Sequence, residues 1–154
     1  METSAGVNVV SQRIPHVNTR PGFSVELPFS VYAVPVGQGH ISLAQNSQAR
    51  SVGLRRYLLK AAREKVRHDM NALMLAATWP AMKPPLTLNV TVRNAERRTR
   101  DDDGCWAAVK VARDVIAEHL GINDSEIRCG TVEFEVGLRE RAVLEIVERS
   151  HDPA

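Results

Sequence analysis

Between Arg97 and Lys110 the chain reads RRTRDDDGCWAAVK. Arg97, Arg98 and Arg100 run into Asp101, Asp102 and Asp103, and Lys110 follows on what reads as a helix. Asp101 and Asp103 are alternate residues, so in an extended segment their side chains face the same way. Asp124, in the later "IND", joins them if the intervening chain folds back. Carboxylates gathered in this way repel one another when empty, and a divalent cation relieves the repulsion. Oxygen donors select a hard ion, Mg2+ or alternatively Mn2+. Lys110 lies about two helical turns beyond Asp103 on the same face, and Asp114 continues that face. An ammonium beside a carboxylate-bound metal steadies the negative charge that builds up on a phosphorane. The metal lowers the pKa of a bound water and polarises the phosphate. The three arginines would hold flanking phosphates. Together these are the parts of a phosphodiesterase. The same letters also suit a solvated turn, in which Asp103 simply caps a helix.

The elements that must position these groups can be read from periodicity. Residues 1–22 lack a clear period and end in Pro21-Gly22, which suggests a flexible leader. "FSVEL" alternates, with Phe23, Val25 and Leu27 on one face of a short strand, and "VGQGHISLAQN" reads as a loop. From about Ser47 to Thr78, Leu59, Ala62, Val66, Met70, Leu73 and Ala77 form one helical stripe. Arg56, Lys60, Arg63 and Arg67 follow the same spacing on a neighbouring face, as a basic ridge or an ordinary wet face. "WPAMKPP" stops the helix. "LTLNVTV" alternates strictly and leads straight into the charged segment, so that segment sits at a strand end. A second helix is expected from about Gly104 to Leu120, with Trp106, Val109, Ala112, Ile116 and Leu120 facing inward and Gly121 as its stop. "INDSEIRCG" reads as a turn. "TVEFEV" and "RAVLEIV" read as a hairpin across "GLRE", and residues 148–154 as a frayed tail. The expected domain spans 23–147. Its class is α+β, a small mixed or antiparallel sheet with two main helices on one face.

Composition narrows the function classes. The chain has 154 residues, of which 44% are hydrophobic and 25% charged, enough for one domain with a core. A formal net charge of only +2 means that any nucleic-acid surface comes from how charge is distributed. Cys105 and Cys129 form no CxxC pair, and the five histidines lack ligand spacing, which argues against zinc and against a disulfide framework. Neither a long apolar run nor a signal-peptide core is present, so no membrane contact and a cytoplasmic setting are expected. Cys105 reads as a packed thiol and Trp106 as core. Trp79 is a candidate dimer contact. Glu133 and Glu135 share a strand face, either solvated or extending the acidic site.

The segment "RTRDDDGCWAAVKVARDVIAEHLGINDSEI" resembles the RusA family of Holliday-junction resolvases. That signature runs as D-x-D-N, a lysine on the following helix, an aspartate near "D-x-L", then a glycine and "DD" in the next loop. Asp101 to Asp103 match D-x-D, and Lys110 matches the lysine. Asp114 matches the helix aspartate, Gly121 the glycine, and Asp124 the second aspartate of the pair. Gly104 stands where the family usually has asparagine, Asn123 replaces the first aspartate of "DD", and the spacing from Asp103 to Lys110 is the longer of the family's variants. The resemblance implies a RusA-like homodimer that cleaves branched DNA by paired nicks with magnesium. Asp101, Asp103 and Asp124 would be metal ligands, and Lys110 the catalytic lysine. A two-fold dimer offers two equivalent sites, as cutting two strands of a four-way junction requires. A non-catalytic branched-DNA-binding protein on the same scaffold is the alternative expectation, motivated by Gly104 and Asn123.

Overall fold

The expected "LTLNVTV" strand is the middle of the molecule. In a computed structural model that describes residues 20–43, 52–94 and 102–149, it becomes β4, Leu86–Asn94. Leu86, Leu88, Val90 and Val92 are buried, and Thr87, Asn89, Thr91 and Arg93 face the other way, half-buried. This period of two makes one face of the sheet apolar. The remaining strands are β1 (Gly22–Leu27), β2 (Val34–Val36), β3 (Gly39–Ile41), β5 (Ile127–Val136) and β6 (Arg141–Glu148). The main sheet is ordered β1-β6-β4-β5, and β2 and β3 form a separate antiparallel hairpin. That hairpin falls in and just before the segment expected to be a loop. The class is α+β with a mixed four-stranded sheet.

β5 and β6 do not form the expected hairpin. β5 pairs with β4 in parallel, while β6 lies antiparallel between β4 and β1. The side chains account for the difference. "RAVLEIV" buries Ala142, Leu144 and Ile146 and carries Val143 and Val147 on its other face, which suits an inner strand. "TVEFEV" alternates with glutamates and suits the edge. The chain passes from one strand to the other across the end of β4, where the Gly137 amide donates to the Asn94 carbonyl at 2.9 Å.

β5 also begins earlier than expected, at Ile127, because "IRCG" is strand rather than turn. Gly130 conceals this in the sequence. Ile127 and Cys129 lie on one alternation, but Val132 and Phe134 lie on the other. A bulge reconciles the two: Leu88 faces Cys129 and Val90 faces Val132, so Asn89 alone opposes Gly130 and Thr131. The Asn89 side-chain oxygen accepts from the Thr131 amide at 2.8 Å and from its hydroxyl at 3.1 Å. The extra residue therefore keeps its hydrogen bond, and Val132 and Phe134 return to the apolar face beside Val90 and Val92.

Three α-helices pack on that face: α1 (Val52–Ala76), α2 (Asp102–Ala108) and α3 (Lys110–Leu120). Of the stripe that the spacing predicts, Ala62, Val66 and Met70 are buried, and Leu59, Leu73 and Ala77 (just past the end of α1) are half-buried against the core; Met74 is buried beside them. The single helix expected at about 104–120 is divided at Val109, whose φ of −96° and ψ of 5° leave the helical range. The joint stays hydrogen-bonded, with Val109 N to Cys105 O and Arg113 N to Val109 O both at 2.9 Å. Cys105, Ala108, Val109, Ala112, Val115 and Ile116 are buried, and Trp106 is half-buried against the same core. Trp79 packs on Phe23 with ring centroids 5.4 Å apart. Among the described residues no helix is long and apolar enough to cross a membrane.

A methyl group at residue 130 would run into the Asn89 side-chain oxygen and come within 3.1 Å of the Leu88 carbonyl. Gly130→Ala should therefore destabilise the fold by about 1–3 kcal/mol. Urea denaturation measures this, and an unchanged midpoint would contradict the bulge.

Candidate functional site

Lys110 opens α3, and Asp114 follows one turn later on the same face. The lysine Nζ lies 3.3 Å from Asp114 Oδ2 and 3.4 Å from Oδ1. It also lies 3.8 Å from Asp124 Oδ2. The loop after α3 thus returns far enough to bring its carboxylate to the lysine, which the spacing alone left open.

Local chemistry explains the return. Gly121 ends α3 at φ 74°, a left-handed conformation that costs glycine little. Its amide donates to Glu118 O at 3.2 Å, and the Ile122 amide donates to Ala117 O at 3.1 Å. These two bonds satisfy the last carbonyls and reverse the chain. Asn123 is then extended at φ −79°, ψ 144°, and caps a 3-10 turn of Asp124–Glu126. Its side-chain oxygen accepts from the Ser125 amide at 2.9 Å, and Glu126 Oε1 accepts from the Asn123 amide at 3.1 Å. This is a reciprocal capping box. The asparagine that departs from the "DD" pattern therefore anchors the turn on which Asp124 stands.

Two carboxylates share one ammonium, leaving one negative charge in excess in the cluster. The lysine side chain is 59% exposed, Asp124 40% and Asp114 28%. At such exposure each pair contributes on the order of 0–1 kcal/mol to stability. Fold stability thus gives little reason for the grouping, and its two solvent-accessible carboxylates offer oxygen donors of the kind a hard cation takes. Asp114, which the sequence reading left out of its ligand set, is the carboxylate nearest the lysine among the described residues. Its sequence signals were the i,i+4 spacing from Lys110 and the match to the helix aspartate of the RusA pattern.

Asp103 lies in the first turn of α2, and its side chain is outside the described residues. Asp101, Arg97, Arg98 and Arg100 also lie outside the described residues. Among the described residues no group of three or more His, Cys, Asp or Glu side chains forms a ligand set.

Arg56, Lys60, Arg63 and Arg67, the basic ridge or wet face of the sequence reading, are all exposed on α1. Arg67 Nη1 lies 3.6 Å from Glu118 Oε2. Glu118 continues the Lys110–Asp114 stripe of α3, so this end of the ridge meets that stripe about 12 Å from the lysine's backbone. Glu133 and Glu135 lie on the opposite face of the sheet from the helices. There Glu135 Oε1 accepts from Arg93 at 2.9 and 3.2 Å, as on a solvated strand face. On α3, Arg113 Nη1 approaches the exposed Cys129 Sγ at 3.6 Å.

Comparison with protein-family models and with curated proteins finds no match to this chain.

Because Asn123 holds the turn, Asn123→Ala should cost about 0.5–2 kcal/mol in urea denaturation. The Ser125 amide should lose protection from hydrogen exchange. Unchanged exchange at Ser125 would contradict the capping role.

Proposed function

We propose that the chain is a magnesium-dependent, structure-selective endodeoxyribonuclease that resolves four-way junctions or related branched DNA, on the plan of the RusA family and as a homodimer. The observation that carries this reading is the approach of Asp124 to Lys110 at 3.8 Å. Two residues fourteen positions apart, each matched to a functional position of that family's pattern, meet at one solvent-open point. The reading also draws on the exposed cationic ridge of α1, one end of which adjoins the helical stripe carrying the lysine.

The donor chemistry fits a hard cation. Asp114 and Asp124 offer oxygen ligands only, and the cluster has negative charge to spare. Asp124, together with Asp101 and Asp103, would hold the ion. Bound there, it would supply Lewis acidity toward the phosphodiester and a more acidic water. The chain's own groups do the rest. Lys110 presents an ammonium to the non-bridging oxygens as charge accumulates on the phosphate under attack. Arg56, Lys60, Arg63 and Arg67 grip the backbone of an adjoining arm, and Arg97, Arg98 and Arg100 the phosphates beside the cut. None of these contacts reads base sequence, which suits an enzyme that recognises a branch.

A labelled four-way junction incubated with magnesium or with chelator tests the proposal. Paired nicks should appear only with the metal. Asp124→Asn and Asp103→Asn should each abolish nicking while junction binding persists. Equal cleavage by either variant and the wild type would end the site assignment. Binding with no nicking by the wild type would favour a non-catalytic junction-binding protein. Hydrolysis of free nucleotides in preference to junctions would point to a nucleotide-directed enzyme.

The ridge makes a separate prediction. Arg63→Ala should weaken binding to all junction sequences alike, and lower the slope of log affinity against log salt by about one. An unchanged slope in a fluorescence-anisotropy salt titration would remove α1 from the DNA surface.

A further inference from the structure

Lys110 has a long, freely rotating stem and a mostly exposed side chain, so something must choose where its ammonium stands. Asp124 alone is a weak choice, since it sits at 3.8 Å on a short turn. Asp114 is the better anchor. Both of its oxygens lie within 3.4 Å of Nζ. It stands on the same rigid helix as the lysine, and its side chain is the least exposed of the three. Lys65 and Asp69 on α1 form a pair of the same spacing and the same 3.3 Å length, and provide an internal reference.

We infer that Asp114 is a positioning residue, which holds the Lys110 ammonium against Asp124 so that the lysine meets the scissile phosphate in one fixed place. This rests on the nuclease reading for its catalytic consequence, though the placement of the lysine is independent of it. Without Asp114 the stem is free to sample other rotamers, and the ammonium spends less of its time at the Asp124 carboxylate. The junction should still bind, because the ridge on α1 is untouched, so the loss should appear in kcat and not in KM.

Two measurements on the full chain test the inference. The first is lysine acylation under limiting reagent, read by mass spectrometry without DNA. Asp114→Asn should raise labelling of Lys110 about two-fold, the factor that an ion pair of this class carries. Labelling of Lys65 should not change, and Asp114→Glu should return Lys110 to the wild-type rate. The second is junction nicking with magnesium. There kcat should fall about two-fold in Asp114→Asn at unchanged KM, in step with the labelling, and recover in Asp114→Glu. Unchanged Lys110 labelling in Asp114→Asn overturns the inference, as does nicking by that variant at the wild-type kcat. If the wild type nicks no junction, the nuclease reading fails, and the labelling alone decides whether Asp114 holds the lysine.

Discussion

The apolar face shared by β4 and β6 is the constraint to which every other element answers. Leu86, Leu88, Val90 and Val92 on one strand and Ala142, Leu144 and Ile146 on the other are at most 2% exposed. Removing a side chain of this kind from water is worth about 1.5–3 kcal/mol, and a sheet with one such face is stable only when that face is covered. α1 and α3 provide the cover. The strands take the order β1-β6-β4-β5 because the most apolar pair must sit in the middle. The glutamate-rich strand is left at the edge, where water can reach its carboxylates.

The same constraint assembles the candidate site. β4 and β5 are parallel, so the chain between them must travel back along the sheet. α2 and α3 make that journey, and the reversal at Gly121 is the last step before β5 begins at Ile127. The capped turn at Asp124 lies in this short return, beside the helix it has just left. The meeting of Lys110 and Asp124 is therefore a consequence of parallel pairing and a left-handed glycine, with only a weak contribution from the ion pair itself. A site assembled in this way can keep its charges exposed, because the core and not the charge cluster carries the fold.

The bulge at Gly130 has a parallel role on the far side of the return. Without an extra residue, the alternation that buries Ile127 would carry Glu133 and Glu135 toward the core. An unpaired carboxylate there would cost several kcal/mol. Asn89 makes the irregularity tolerable by accepting from both the amide and the hydroxyl of Thr131. Its own amide group reaches Glu145 on β6 at 3.4 Å, so one side chain links three strands on the solvent face.

Periodicity alone determined the strand from Leu86, the helical stripe from Ala62 to Met70 and the inward face of the helices after the aspartates. It also determined the α+β class, and it placed the charged run directly after a strand. These are local properties: burial on one face imposes a period of 2 or 3.6 on the residues themselves. What only the tertiary structure decided was which strands are neighbours, and hence that "TVEFEV" pairs with β4 rather than with the strand that follows it. It also decided that Val109 divides the helix, that "IRCG" extends β5 through a bulge, and that Asp114 and Asp124 share the Lys110 ammonium. Pairing and convergence depend on competition among distant segments for one buried face, and no residue records that competition in its immediate neighbours.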